Sequence, residues 1–178
     1  MPQGLETRMS LYSQTVTQMS KMLTNLDAWI GLGVENATAR KYDPSVLLNA
    51  RLAPDQYNLI KQVQAACDSA KFAAARLTGK TPPAHPDTEQ TVDEVRARIK
   101  AVVDYLATFT EADFAGGETR VVPLSFMPGK GMLGSDYLCE MAAPNFYFHV
   151  SMAYAILRHN GVPLGKMNFM GGMKLVDV

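Results

Sequence analysis

Cysteine is scarce: Cys67 and Cys139 are the only two, and they lie far apart. That spacing does not make a disulfide framework. Each sits in a helical apolar pattern, so two buried, reduced thiols are expected. An excess of charge of either sign is also missing, with 17 Lys and Arg against 17 Asp and Glu. A domain built mainly to hold nucleic acid usually carries a basic excess, so that class is not expected. The one dense basic cluster, Arg96 to Lys100, reads as the solvated face of a helix. No apolar run approaches the ~20 residues that cross a bilayer, and no signal-peptide pattern opens the sequence. The expected compartment is the cytoplasm, with neither membrane nor nucleic acid as a partner.

The motifs of common chemistries are missing as well. There is no Gly-x-Ser-x-Gly, no His-Glu-x-x-His and no Cys-x-x-Cys. The stretch GVPLGKM resembles a phosphate-binding loop only superficially. It is one residue short between its glycines, lacks the Ser or Thr after the lysine, and follows a helix instead of a strand. Eleven methionines at helical spacing are core filler before they are anything else.

What is present is helical periodicity. Apolar residues make up 47% of 178 residues, enough for one folded domain, assigned here to 9–178. The segment 1–8 adds no periodic pattern and is set apart as an extra N-terminal segment. Val16, Met19, Leu23, Leu26 and Ile30 form one helical stripe, which Gly31 and Gly33 are expected to end. Leu59, Val63, Ala66, Ala70, Ala73 and Leu77 form a second. Pro54 and Asp55 suit its first turn, and Gly79 suits its end. The third runs from Val92 through Val95, Ile99, Val102 and Leu106 to Phe109, with Thr91 and Glu94 as a capping box.

Residues 79–90 are proline-rich and could span about 40 Å when extended. The second and third helices are therefore either parallel, joined by a crossover, or antiparallel with slack. The longer connector before Pro54 contains YDPSVLLNARL, whose apolar residues should cover a bundle end. Thr119 to Gly134 reads as a short β-hairpin or ordered loop. The fold class is all-α, a four-helix bundle.

The fourth helix starts near Ser135 and ends at Asn160-Gly161. Its stripe reads Leu138, Met141, Asn145, Phe148, Met152 and Ile156. Pro144 lacks an amide hydrogen and crowds the preceding turn, so it should free the Glu140 carbonyl and kink the helix. Either a tolerated bend or a pocket follows. Asn145 and His149 are four residues apart and share a face. His159 lies on the same broad side, in a last turn where it also suits the helix dipole. Asn145, His149 and His159 are the candidate ligand-binding residues. His149 is the best general acid–base candidate. Phe146, Tyr147, Val150 and Tyr154 fall off this stripe and need a cover from the hairpin, the C-terminal tail or a twofold partner.

Three blocks carry a resemblance: MSLYSQTV, RLAPDQYNLIKQVQAACDSAK and PNFYFHVSMAYAILRHNGVPLGKMNFMG. Together they resemble a bacterial family of uncharacterised proteins grouped with the DinB/YfiT-like four-helix bundles, over about residues 9–171. The resemblance implies a bundle, a homodimer, and a superfamily in which many members are metal-dependent and some are thiol-dependent transferases. The superfamily's usual site is a histidine on the second helix and a His-x-x-x-His pair on the last. Here Asn145 and His149 stand at the pair, and the second helix has no histidine. Gln64, Cys67 and Asp68 are its nearest substitutes. Asp68 lies about 180° from Leu59 around the helix, facing away from the core. Amides are weak ligands, and a catalytic zinc normally keeps three protein ligands. No metal or other cofactor is therefore favoured; a zinc or nickel ion, if bound, would use His149, Asn145 and Asp68.

The expected function is a metal-free, small-molecule-binding bundle with a pocket near the kinked last helix. The alternatives are a degenerate metal-dependent thiol transferase and a non-enzymatic oligomeric interaction protein.

Overall fold

A computed structural model describes residues 9–177. The segment 1–8 lies outside the described residues. A π-turn over Ser13–Thr17 leads into α1 (Gln18–Ala39), and Met19, Leu23, Leu26 and Ile30 of its stripe are buried. Contrary to expectation, Gly31 and Gly33 lie inside this helix. Gly33 is a contact surface: an added Cβ would sit 3.2 Å from Leu47 Cδ1. The close approach of the next segment offsets the roughly 1 kcal/mol that glycine costs a helix interior. That segment is α2 (Ser45–Asn49), whose buried Leu47 and Leu48 close one end of the core, as the connector's apolar residues implied.

The alanine-rich stripe forms α3 (Leu59–Thr78), and all six of its residues are buried. Asn58 caps it by accepting from the Lys61 amide, so Pro54 and Asp55 fall in the preceding turn and not in the helix. Gly79 ends it with φ +75°, a left-handed conformation that glycine adopts without a Cβ clash. The next helix, α4 (Val92–Leu106), opens with both bonds of the Thr91–Glu94 capping box. Phe109 is buried just beyond its end.

The connector between α3 and α4 is a crossover. Lys61 pairs with Asp87, Gln64 with Glu89, Asp68 with Arg98, and Lys80 with Asp113. Sequence numbers rise together on both sides, so α3 and α4 run parallel and the proline-rich segment returns along their seam. This overturns the reading of Arg96 to Lys100 as a uniformly solvated face. Arg98 is buried, its side chain 2% exposed, under the returning segment.

A hairpin of β1 (Val121–Pro123) and β2 (Gly131–Leu133), paired antiparallel, precedes the last helix. That helix runs without a break through α5 (Gly134–Asp136), a π-turn over Tyr137–Ala142, and α6 (Ala143–His159). Pro144 explains the π-turn. Widening the turn before it accommodates the ring and the missing amide, and the Ala143 amide bonds the Leu138 carbonyl five residues back. The wider turn also rotates everything after it. The buried residues include Leu138, Ala142, Phe146, Val150, Ala153, Ile156 and Leu157, so the expected stripe keeps its two ends, Leu138 and Ile156, in the core while its middle is replaced. Asn145 and Phe148 are exposed instead, and so is Cys139, contrary to the expectation of two buried thiols.

Phe146 and Val150 therefore belong to the core. Tyr154 is covered within the chain: Trp29 meets it edge-on at 5.4 Å, and Phe169 of α7 (Lys166–Met170) meets it at 5.6 Å. The Trp29 indole donates to the Asn168 carbonyl, which fastens that tail. In cross-section the bundle is a ring, α1 against α4, α4 against α3, α3 against α6 and α6 against α1. Among the described residues, no helix is long and apolar enough to cross a membrane.

Candidate functional site

The seam between α3 and the last helix is concave. These two elements run antiparallel: Gln62 faces His149, Ser69 faces Asn145, and Arg76 faces Tyr137. A half-open cleft of about 330 Å³ lies along the seam. From α3 it takes Lys61, Ala65, Asp68, Phe72 and Arg76. Those positions are 4, 3, 4 and 4 apart, a second face of the helix beside its apolar stripe. The opposite wall is Tyr137, Met141 and Ala142 of the π-turn, with Asn145. The turn that accommodates Pro144 thus builds one wall of the cleft.

Asn145 lies at mid-cleft. Its amide nitrogen donates to the Ser69 hydroxyl at 2.7 Å, and that hydroxyl donates to the Ala65 carbonyl. Arg76 occupies one end, where Nη1 donates to the Tyr137 hydroxyl at 3.1 Å and the guanidinium lies 5.0 Å from the Phe72 ring centroid.

Behind the cleft is a charge network under the crossover. Asp68 receives Lys71 at 2.7 Å and Arg98 at 2.8 Å, and Arg98 also meets Glu89 at 3.0 Å. The Lys71 and Arg98 side chains are 3% and 2% exposed, so mutual pairing is what keeps these charges tolerable there.

The residues singled out from sequence are not gathered into one site. Asn145 and Asp68 line the cleft; His149 does not. His149 is half-buried, its Nδ1 2.8 Å from Gln62 Oε1 and its ring stacked on Tyr57. Burial holds its pKa below the usual histidine value. His159 is exposed in the last turn of α6, away from the cleft lining. Gln64 is buried and donates to Glu89, its Oε1 left without a partner.

The residues that the superfamily's metal would draw on do not fit one. Asp68 is neutralised by two cations, and Asn145 offers only a neutral amide oxygen, a weak ligand. Cys67 is in the core, where burial pushes its thiol up to about 12, far from the thiolate a metal requires. Among the described residues, no three of His, Cys, Asp and Glu are grouped to hold an ion.

Lys61, Ser69, Phe72, Arg76 and Tyr137 were not singled out from sequence. The available signal was the recurrence of Lys61, Asp68, Phe72 and Arg76 at helical spacing, offset from the apolar stripe. It reads as a solvated face until the neighbour across the seam is known.

Comparison with known proteins agrees with this architecture. A family described as a domain of unknown function, DUF1993, matches residues 11–170. A crystal structure of a DinB family member from Shewanella denitrificans is 49% identical, with 94% of this chain and 96% of that chain covered and a TM-score of 0.92. No curated protein matches the sequence. The chain, a DinB-like helical bundle with one wall of its cleft built by a π-turn, belongs to the DUF1993 family.

Proposed function

We propose that this protein is a metal-free, small-molecule-binding bundle whose ligand site is the cleft between α3 and the last helix. The observation that carries the reading is the convergence of Ser69, Asn145 and Arg76 on a cleft walled by Phe72 and Tyr137. Its volume of about 330 Å³ falls in the range of small-molecule sites, and Phe72, Met141 and Ala142 give it an apolar wall beside its polar and charged groups. The mismatch between the donors and a metal supports the metal-free half of the proposal.

The test is a thermal-shift screen of small organic acids, amines and neutral aromatics against wild type and Ala65→Trp, which fills the cleft from α3. Stabilisation in the wild type that Ala65→Trp abolishes is expected. Ligands that stabilise both proteins equally would place binding elsewhere and end the reading.

One observation favours the metal-dependent alternative. Gln62 fixes the ring of His149 in the way that an outer hydrogen-bond partner orients a ligating histidine. Metal analysis of untagged, chelator-free protein separates the two. Near-stoichiometric metal in the wild type, absent from His149→Ala, would replace the metal-free reading.

A further inference from the structure

We propose that Arg76 is the anion-recognition residue of the cleft, and that the ligand is an elongated monocarboxylic acid with an apolar body. The inference rests on the cleft being the ligand site, and deepens it by naming the class of ligand.

The charges around the cleft balance without Arg76. Lys61, Lys71 and Arg98 face Asp68, Asp87 and Glu89, three cations against three carboxylates, and the ion pairs join these six to one another. Arg76 lies outside this network. Among the described residues its partners are neutral: the Tyr137 hydroxyl, which takes Nη1, and the faces of Phe72 and Tyr137. Nε and Nη2 carry no protein bond, and neither is a sealed, unsatisfied atom, so both are open to solvent. A part-buried guanidinium with no carboxylate and two unbonded nitrogens, Nε and Nη2, is built to take a planar oxyanion.

One uncompensated charge matches one negative charge. A monocarboxylate restores neutrality. A phosphate dianion would leave one excess negative charge in the cleft.

The rest of the cleft sets the body. Between Arg76 and Asn145, Phe72, Met141 and Ala142 give an apolar stretch. Asn145 gives it a polar stop. Its Oδ1 accepts no bond from the described residues, so it is free to take a hydroxyl or amine. Ser69, which anchors Asn145, lies seven residues from Arg76 along α3, roughly 10 Å at about 1.5 Å per residue. The ligand therefore carries its carboxylate at one end and a hydrogen-bond donor roughly that far away.

The test uses 3-(4-hydroxyphenyl)propionate and its neutral amide, titrated into ¹⁵N-labelled wild type, Arg76→Gln and Ala65→Trp. Backbone amides and the Arg76 Nε–H resonance report binding. In the wild type the acid binds about tenfold or more tightly than the amide, the size expected of a hydrogen bond to a charged group, and it moves the Arg76 resonance. In Arg76→Gln the preference falls to within about twofold while cleft amides still respond. Equal binding of acid and amide, no binding of the acid, or a preference that survives in Arg76→Gln would each overturn the proposal. The cleft is judged separately: a charge preference lost in Arg76→Gln but binding kept in Ala65→Trp retains the anion contact and rejects the cleft. Binding lost in Ala65→Trp with no charge preference does the reverse.

Discussion

His149 on α6 reaches Gln62 on α3, with Nδ1 2.8 Å from Gln62 Oε1. Gln62 donates through Nε2 to the Tyr57 carbonyl at 3.4 Å, which leaves Oε1 as the acceptor. The neutral ring therefore keeps its proton on Nδ1 and its lone pair on Nε2. Helix α3 thus supplies an orienting amide for this histidine and no charged partner. Asn145, one turn earlier, is bound instead to Ser69. The two residues share a helix face in sequence, yet they serve different surroundings: one belongs to the cleft and the other lies beside it.

This environment gives stability a direction with pH. Burial depresses the pKa of folded His149 below 6.5, so the unfolded chain binds the proton more readily. The stabilisation is fully present above pH 6.5 and is lost as pH falls through the depressed folded value. His85 is depressed the same way, again chiefly by burial, and contributes in the same direction. Chemical denaturation from pH 7.5 to 5 is expected to show stability falling with acid. His149→Gln should show a shallower slope, with the residue from His85 remaining. An unchanged slope in the variant would refute the assignment to His149.

The thiols differ in kind. Cys67 is wholly buried in the core and its thiol is pushed up to about 12, whereas Cys139 is exposed on the π-turn. A thiol-reactive chromogenic disulfide at pH 8 should titrate one cysteine in the native protein and the second only in denaturant. Cys139→Ser should remove the native reaction. Two fast thiols in the native state would contradict the burial of Cys67.

Much of the fold was legible in the sequence, and the failures share a cause. Helices α3 and α4 could be read because each has an unbroken 3.6-residue stripe and explicit ends, Gly79 for one and Thr91 with Glu94 for the other. The hairpin could be read from its β-branched start and its Gly and Pro turns. What was misread depends on neighbours. Gly33 looks like a helix end until Leu47 is placed against it. The middle of the last helix was read out of phase because one π-turn before Pro144 turns Asn145 and Phe148 out of the core, although Leu138 and Ile156 of the expected stripe are buried. Arg98 looks like surface until the crossover is known to return over it. The cleft combines all these difficulties. Asn145 was found by its place in a motif, but Arg76 and Phe72 acquire meaning only from Tyr137 across the seam.

The two glycines of α1 separate intrinsic propensity from packing. An added Cβ at Gly31 meets nothing within 4 Å, so Gly31→Ala should stabilise the protein by up to about 1 kcal/mol. At Gly33 the same gain is opposed by Leu47 Cδ1 at 3.2 Å and Leu157 Cδ2 at 3.5 Å. Gly33→Ala should therefore fall short of Gly31→Ala by about 1 kcal/mol or more in urea denaturation, the scale of overpacking costs. Equal stabilisation by both would show that α2 yields freely.

Arg98 carries the largest expected single effect. It is the one side chain that touches Asp68, Asp87 and Glu89 together. Arg98→Met would leave Glu89, 11% exposed, without its cation, and would leave Asp68 to Lys71 alone. Removing one partner of a buried pair typically costs about 3–5 kcal/mol, because the remaining charge stays desolvated. The crossover that Asp87 and Glu89 hold down should also loosen, so backbone amides of 84–90 should exchange faster. Replacing the acids as well, in Arg98→Met with Glu89→Gln and Asp68→Asn, should recover part of the lost stability, because no orphaned carboxylate remains. Arg98→Met at less than about 1 kcal/mol would mean that these charges stay hydrated, like an exposed surface pair.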